Sequence, residues 1–235
     1  MYYFLQPDIA QTARLSKEEA RHCINVLRHR PGDWVHVMDG SGKLYKGQLL
    51  GYNAAGVELG GLEVVEERPV PAMQVHLAIA PPKSSSRLEW LLEKAVEIGI
   101  SQITPVVCVH SERRKTKNDR LEKVMIAAAK QSGQLWLPKL NGLERFDKFV
   151  RSVDGKTQRF IAFAHTANPH LFSKLAPNAD VVVLVGPEGD FSPEELKFAV
   201  NYGFKGVSLG QSRLRTETAG IVAVAAINSF KEINT

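Results

Sequence analysis

Several features are scarce or missing in this 235-residue sequence, and each absence excludes a class of protein. No run approaches the roughly 20 apolar residues that a membrane-spanning helix needs, and MYYFLQPDIAQ lacks the basic-then-apolar layout of a secretory signal. Cysteine occurs only at Cys23 and Cys108, without the spacing of a metal site or a disulfide framework. We therefore expect a cytoplasmic protein with free thiols, no membrane contact and no metal.

Three common catalytic or nucleotide-binding motifs are also absent. There is no G-x-x-x-x-G-K-[ST], which excludes a phosphate-binding P-loop, and no G-x-G-x-x-G opens the alternating strand and helix region. A G-x-S-x-G elbow is missing as well, so a serine hydrolase has no nucleophile at its expected place. Nucleoside triphosphate, NAD and hydrolase functions are disfavoured.

What the chain does have is ample apolar material and an excess of positive charge. Hydrophobic residues make up 44% of the sequence, enough for real cores, and the formal net charge is +5. Lysine and arginine bind polyanions by neutralising phosphates. The candidate phosphate-binding residues are Arg21, His22, Arg28, Lys43, Lys46, Arg113 and Arg114. The alternative for each is an ordinary solvated charge.

The pattern of apolar residues divides the chain near residue 70. Residues 1–70 contain short extended segments typical of a small β-barrel or sandwich, interrupted by one helix from Ser16 to about Arg28 with Glu19 completing a capping box. ERPVPAM, residues 67–73, is the predicted linker. Residues 74–235 alternate strands and helices, with one helix predicted over NDRLEKVMIAAAKQS, and this alternation predicts an α/β domain with a largely parallel sheet. Periodicity leaves doubly wound and barrel arrangements open.

Two glycine-containing loops near the C-terminus carry the strongest functional signal. VVVLVGPEGDFSPEEL predicts a buried strand, a turn, and a helix capped by Ser192 with Pro193 and Glu195. LGQSRLRTETAG follows the next strand and crowds polar side chains at the start of an apolar helix. Ligands in open α/β sheets bind beyond the carboxyl ends of strands. We expect the two loops to hold an adenine and a ribose against Leu184, Leu209 and Leu214.

Together these loops resemble the signature of the RsmE family, the 16S ribosomal RNA uridine-N3 methyltransferases. The N-terminal segment from His22 to Asp33, the central residues Lys83, Glu89, Lys94 and 97–99, and the stretch around Gln131 and Pro138 resemble further family motifs. The resemblance covers nearly the whole chain. The sequence departs from the family pattern at Asp190, at Ser212 and Arg213, and at Gln134, where we expect the details of RNA contact to differ.

The resemblance implies a fold, a methyl donor and partners. The fold would be an N-terminal PUA-like β-barrel and a C-terminal SPOUT α/β domain ending in a trefoil knot. The methyl donor would be S-adenosylmethionine, and the partners would be 16S ribosomal RNA or the small ribosomal subunit and a second copy of the chain. The implied donor-binding residues are Leu184, Gly186, Pro187, Glu188, Gly189, Leu209, Gly210, Leu214, Arg215, Thr216, Thr218 and Ala219.

Methylation of uridine N3 requires a base for the N3 proton and a cation for the charge that spreads onto the flanking carbonyl oxygens. We expect Arg215 to supply the cation and either Glu188 or Glu217 to supply the base. His110, His165 and His170 are interpreted as surface residues. Two rival functions remain open: an RNA-binding protein without catalysis, which would not bind the donor, and an enzyme acting on a free small metabolite without RNA.

Overall fold

A computed structural model describes residues 2–163 and 168–234 and divides the chain into two compact units. The first unit contains the residues up to Val70 together with Ile126–Leu137, and the second contains Pro71–Met125 and the chain from Pro138 onward. The inclusion of Ile126–Leu137 in the first unit was not predicted from the sequence. His165 lies outside the described residues.

The first unit is built on a five-stranded sheet in the order β1-β3-β4-β5-β2. Only β1 and β3 are parallel, and the remaining pairs are antiparallel. Its apolar core includes Phe4, Ile9, Leu15, Val37 and Leu49, all buried. The strands are β1 Tyr3–Leu5, β2 Arg14–Leu15, β3 Trp34–Met38, β4 Lys43–Asn53 and β5 Gly56–Glu67. The helical segments are α1 Ile9–Thr12, α2 Lys17–Arg21 and a π-helical turn His22–Val26.

The helix predicted from Ser16 to Arg28 is shorter and less regular than expected. The hydroxyl of Ser16 accepts a hydrogen bond from the backbone N–H of Glu19, as predicted. The reciprocal half of the capping box is absent because the Glu19 carboxylate pairs with Lys130, at 2.7 Å, and both side chains are largely buried. The helix then widens into the π turn, and Arg28 takes a left-handed conformation at φ 59°.

The second unit is an α/β fold on a parallel sheet in the order β12-β10-β11-β6-β7-β8, with β9 also paired to β7. This sheet is open, with β12 and β8 at its edges, which decides against a barrel in this unit. The strands are β6 Val75–Ile79, β7 Gln102–Val107, β8 Lys139–Leu140, β9 Glu144–Arg145, β10 Gln158–Ala162, β11 Val181–Val185 and β12 Lys205–Val207. The helices are α3 Ser85–Ile98, α5 Phe146–Ser152, α6 Pro193–Asn201 and α7 Thr216–Ile233, with a 3-10 turn at Leu171–Lys174. Helix α4, Asn118–Ser132, is divided between the units after Met125.

Strand β11 lies at the centre of this core, and all five of its residues are buried. A strand covered on both faces reads as a continuous apolar run, as VVVLV does. Each fully buried valine or leucine contributes roughly 1.5–3 kcal/mol of transfer free energy. Helix α7 packs on α3 and β6. Gly220 allows this close approach, since a Cβ there would lie 2.8 Å from Leu91 Cδ1.

Both cysteines are buried and free. Burial is the main cause that raises the pKa of Cys23 to about 11, and burial also raises the pKa of Cys108. Thiols in this state are poor nucleophiles. Within residues 2–163 and 168–234, no helix is long and apolar enough to cross a membrane.

Candidate active site

A large cavity opens at the carboxyl ends of β10, β11 and β12, where an open α/β sheet places its ligands. Its volume of about 1080 Å³ lies at the upper end of the usual range for small-molecule sites, about 300–1,000 Å³. Both predicted glycine loops contribute to its walls. The lining residues are Ala162, Phe163, Asn168, His170, Val185, Gly186, Pro187, Glu188, Asp190, Ser208, Leu209, Gly210, Gln211, Ser212, Arg213, Leu214, Arg215, Thr216 and Ala219.

The second loop, residues 208–216, leaves room for a ligand at Gly210. Gly210 has φ 131°, and among the described residues, its own chain neighbours aside, no heavy atom lies within 4 Å of where a Cβ would be. The Ser208 hydroxyl holds this turn by accepting from the Gly210 N–H at 3.1 Å and donating to the Gly210 carbonyl at 3.0 Å. Half-buried Leu209 and Leu214 give the cavity an apolar wall.

The first loop, residues 186–190, uses its glycines differently. A Cβ on Gly186 would lie 3.0 Å from the Phe191 ring, and one on Gly189 would lie 3.0 Å from His110 Cβ. These glycines therefore permit close packing within the protein itself. Asp190 adopts the left-handed conformation at φ 60°, and its side chain accepts from the Phe191 N–H at 2.8 Å. Aspartate tolerates this backbone region better than most residues, which explains how it can stand where the resemblance expects glycine.

Helix α6 begins at Ser192 as the sequence predicts. The Ser192 hydroxyl accepts from the Glu195 N–H at 3.2 Å, and the Glu195 carboxylate accepts from the Ser192 N–H at 2.9 Å. The predicted capping box with Pro193 in the first turn is confirmed. The capping box fixes the backbone conformation at the start of α6, directly after the first loop.

Most of the predicted donor-binding residues line one cavity, but three do not. Leu184 is fully buried in the core, and its neighbour Val185 lines the cavity instead, because successive side chains of a strand point to opposite faces. Gly189 and Thr218 also lie outside the lining. The predicted residues that it contains are Gly186, Pro187, Glu188, Leu209, Gly210, Leu214, Arg215, Thr216 and Ala219.

The segment that follows β10 contributes lining residues that the sequence interpretation missed. Asn168 and His170 line the cavity, and His170 is exposed, as the sequence interpretation of a surface residue expected. His170 Nδ1 accepts from the Phe172 N–H at 3.3 Å. The signal that could have found this segment is its place after a buried strand, the same rule that identified the other two loops.

The two candidate bases occupy different environments. Glu188 is exposed on the cavity wall, where one of its oxygens accepts from the Lys83 N–H at 3.2 Å. Glu217 is buried outside the lining, with one oxygen 3.6 Å from Arg87 Nε and the other without a hydrogen-bond partner among the described residues. The geometry therefore disfavours Glu217 as a base for a substrate in the cavity. Arg215 is exposed on the wall at the N-terminus of α7.

The predicted phosphate-binding residues differ in how far their charges are already engaged. Arg21 and Arg28 are exposed in the first unit. Lys43 lies 3.5 Å from Glu67, and Lys46 Nζ lies 4.5 Å from the centre of the Trp34 ring. His22 stacks on Tyr2, and its Nε2 is buried without a partner among the described residues. In the second unit, Arg113 and Arg114 donate to backbone carbonyls.

The fold and the cavity define an α/β protein with a small-molecule site that has arginine and carboxylate side chains on its wall. Among the described residues, no group of three or more histidines, cysteines or carboxylates could hold a metal ion. The side chains on the wall supply hydrogen-bond donors and acceptors, two guanidinium groups and two carboxylates. Such a wall can orient a nucleotide-like ligand and move a proton.

Comparison with known proteins identifies the family. The family model described as an RNA methyltransferase domain matches residues 68–228, and the model described as an RNA methyltransferase PUA domain matches residues 15–53. Ribosomal RNA small subunit methyltransferase E of Synechocystis sp. is 32% identical over 230 residues, which are 95% of this chain and 75% of the relative. The chain belongs to the ribosomal RNA small subunit methyltransferase E family, as predicted.

Solved structures agree along the whole chain. A probable rRNA-methyltransferase from Porphyromonas gingivalis is 36% identical and superposes with a TM-score of 0.91 over 100% of both chains. A ribosomal RNA small subunit methyltransferase E from Neisseria gonorrhoeae, bound to S-adenosyl methionine, is 28% identical with a TM-score of 0.87 over 98% of both chains. The α/β fold with a PUA domain and a SPOUT-like RNA methyltransferase domain is confirmed at this level.

Proposed function

We propose that this protein transfers the methyl group of S-adenosylmethionine to N3 of a uridine in 16S ribosomal RNA of the small ribosomal subunit. The observation that carries the proposal is the joint presence of Glu188, Arg215 and both glycine loops on the wall of one cavity. Family membership and the relative solved with S-adenosyl methionine support the same donor.

The cavity suits this donor in both shape and chemistry. Apolar side chains from Val185, Leu209 and Leu214 offer a surface for an adenine ring, and the open space at Gly210 lets a ligand approach the backbone. The backbone amides and carbonyls of residues 186–188 and 209–216 offer hydrogen bonds for the base edge and the ribose. The donor supplies an activated methyl group when bound, and the protein supplies orientation.

Glu188 and Arg215 divide the remaining chemistry between them. The Glu188 carboxylate accepts the N3 proton of the uridine, which leaves a lone pair on N3 in line with the donor methyl. The Arg215 guanidinium donates to a flanking carbonyl oxygen of the base and stabilises the charge that develops there. The lone pair forms the N–C bond as the methyl–sulfur bond breaks, and the electron pair of that bond stays on sulfur.

The first unit is the proposed RNA-binding domain. Arg21 and Arg28 offer their charges to phosphates, since neither has an ion pair with the described residues. Lys43, Lys46 and His22 are proposed as further RNA contacts from the same unit. The match to an RNA methyltransferase PUA domain supports this division, with domains at residues 1–70 and 74–235. Register shifts between β4 and β5 curve the sheet and favour its closure into a PUA-like barrel.

The path of the chain supports the proposed trefoil knot. After β12, at the edge of the sheet, the chain returns past β10 and β11 so that α7 packs on β6 and α3. Two backbone hydrogen bonds join the segment after β10 to the end of β12. The Ser208 N–H donates to the Pro169 carbonyl, and the Leu171 N–H donates to the Ser208 carbonyl. Phe172 of this segment also contacts Phe230 of α7, with ring centroids 5.5 Å apart. These contacts of residues 168–174 with β12 and α7 support our proposal that the C-terminal chain forms the knot.

The proposed assembly is a homodimer that works in the cytoplasm. Helix α7 is apolar from Ala219 to Ile227, yet Ile221, Val222 and Ala225 are only half-buried within one chain. A second copy would cover them. Sedimentation equilibrium of the purified protein tests this point, and a monomer at micromolar concentration would contradict it. The compartment follows from the substrate, because bacterial ribosomal subunits are assembled in the cytoplasm.

The function is tested by methyl transfer from labelled S-adenosylmethionine to 16S ribosomal RNA, both naked and in small subunits that lack the modification. We expect label to appear as 3-methyluridine after digestion to nucleosides. Donor binding without transfer to either substrate would favour another acceptor, and no donor binding would favour an RNA-binding protein without catalysis. Transfer to free uridine or a nucleotide in the absence of RNA would favour the metabolite enzyme.

A further inference from the structure

A chain of hydrogen bonds connects three loops of the second unit: the loop between β6 and α3, the loop after β7, and the loop that carries Glu188. The Lys83 N–H, between β6 and α3, donates to Glu188 Oε1 at 3.2 Å. The carbonyl of the same residue accepts two hydrogen bonds from Arg113, which follows β7, at 2.8 Å from Nη2 and 3.2 Å from Nε. One residue, Lys83, therefore connects the guanidinium of one loop to the carboxylate of another.

Arg113 binds the backbone of the β6 loop, residues 80–84, at the carbonyl of Lys83. Pro81 and Pro82 precede Lys83 and are buried, so the chain entering Lys83 is restricted. On the other side, Ser84 is the N-cap of α3, and its side chain makes no capping hydrogen bond to the backbone. Two donors from one rigid guanidinium fix the Lys83 carbonyl on this side. The Lys83 N–H belongs to the preceding peptide plane, so the contact at the carbonyl restricts its direction through the φ and ψ angles of Lys83.

The side chain of Lys83 strengthens the same connection. Its ammonium group lies 2.9 Å from Glu112 Oε2, on the loop that carries Arg113. The hydrogen bond and charge of Glu112 raise the pKa of Lys83, and the charge of Glu188 acts in the same direction. The ammonium therefore stays protonated near Glu188. Lys83 therefore links the loop after β6 to the loop after β7 through both its backbone and its side chain.

We propose that Arg113 is a positioning residue for Glu188 and acts through the backbone of Lys83. This inference rests on the proposed role of Glu188 as the acceptor of the N3 proton. It replaces the sequence-based assignment of Arg113 as a phosphate contact, since two of its donors already bind the Lys83 carbonyl. Its half-buried position also sets it apart from the exposed Arg114 and Lys115 beside it.

A kinetic double-mutant cycle separates positioning from phosphate binding. We expect Arg113→Ala to lower kcat about 10- to 100-fold, the order of loss that small misplacements cause, with KM for RNA unchanged within twofold. In a Glu188→Gln background the same change should cause no further loss, because its effect passes through Glu188. Equal losses in both backgrounds, or a rise in KM alone, would overturn the proposal.

Two single variants complete this test. Arg113→Lys keeps the positive charge but loses the two-donor fork, so it should behave like Arg113→Ala if the guanidinium positions the loop. Restoration of wild-type kinetics by lysine would instead assign Arg113 to phosphate binding. Lys115→Ala removes the same charge two residues away, without a contact to Lys83, and should leave kcat unchanged. An equal fall in kcat with Lys115→Ala would mean that charge alone is responsible.

A second readout does not depend on activity. The Lys83 amide proton should shift in nuclear magnetic resonance spectra when Glu188→Gln replaces the carboxylate by a weaker acceptor. In an Arg113→Ala background, Glu188→Gln should leave this resonance unmoved, because the amide no longer points at residue 188. An equal shift in both backgrounds would overturn the positioning role. If the wild type bound the donor but methylated no RNA, the proposed function would fail while this cycle still decided the role of Arg113.

Discussion

The two ends of the parallel sheet in the second unit hold polar side chains for different purposes. At the carboxyl ends, Glu188 and Arg215 are exposed on a cavity of about 1080 Å³. At the amino ends, a cavity of about 240 Å³ is lined by His76, Thr104 and Asn141, whose polar atoms bond to one another. Thr104 Oγ1 lies 2.7 Å from His76 Nε2 and 2.7 Å from Asn141 Nδ2.

This difference indicates which polar groups bind a ligand and which stabilise the fold. Buried polar groups that find partners within the protein contribute to stability, and groups that face a large open cavity keep their hydrogen-bonding capacity for a ligand. Substitutions of the polar groups that face the cavity at the carboxyl ends should therefore change rate or binding. Substitutions at the amino ends should change stability and leave the rate intact.

The largest expected effect is that of Glu188→Gln. We expect kcat to fall about 10²- to 10⁴-fold, the usual contribution of a general base, with RNA affinity and the melting temperature unchanged. Single-turnover methyl transfer to small subunits measures the rate. Glu217→Gln is the matched control: it should alter stability and leave the single-turnover rate within about threefold, because Glu217 is buried outside the cavity. A reversed result for the two variants would assign the base to Glu217.

The next effect is that of Arg215→Ala, which removes a donor to the charge that develops on the base. Loss of one such donor costs about 10²- to 10³-fold in kcat. Arg215→Lys should recover little of this loss, because a single ammonium cannot reproduce the guanidinium geometry. Arg213→Ala, on the same loop and also on the cavity wall, should cost less. A variant Arg215→Ala that kept full activity would remove Arg215 from the mechanism.

The amino end of the sheet provides a prediction about pH. Burial, assisted by the charge of Lys139, lowers the pKa of His76 to about 4 from its ordinary 6.5. The unfolded chain therefore binds a proton between these two pH values while the native protein does not, so stability falls as pH drops through 6.5 toward 4. The expected loss from this residue between pH 7.5 and 4 is about 3 kcal/mol.

Urea unfolding at pH 7.5, 5 and 4 measures this loss. His76→Gln lacks the titrating group, so its free energy of unfolding should fall by less than that of the wild type over the same range. The methylation rate at pH 7.5 should be the same in both proteins. Identical pH dependence of unfolding in wild type and variant would show that His76 does not titrate as stated.

The sequence predicted the strands and helices of the α/β unit well because their apolar patterns are strong. The helix NDRLEKVMIAAAKQS was predicted with the bounds that the structure has. Short elements such as α5 and β8 were missed, since seven and two residues carry too little periodicity. The ion pair between Glu19 and Lys130 was also not predicted, because the two residues lie 111 positions apart along the chain.

The family and the loops of the candidate site were also predictable, but individual roles were not. Motif order identified both glycine loops, whereas Leu184 and Val185 differ only in which face of β11 they occupy. Glu188 and Glu217 each lie in one of the two loop motifs, and only the fold places Glu188 on the cavity and buries Glu217. The roles of the glycines were not predictable for the same reason. A glycine after a strand can either leave space for a ligand or permit close packing within the protein.

The smallest expected effect distinguishes these two uses of glycine. Gly186→Ala should destabilise the protein by about 1–3 kcal/mol, because its Cβ would lie 3.0 Å from the Phe191 ring in a packed region. In a Phe191→Leu background the same substitution should cost less, since the ring is gone and the two changes are coupled. Thermal unfolding of the four proteins measures this coupling. Ala219→Phe, which places a ring in the cavity from α7, should instead weaken donor binding more than about tenfold without a similar loss of stability. Equal costs of Gly186→Ala in both backgrounds would contradict the role of Gly186 in packing against the Phe191 ring.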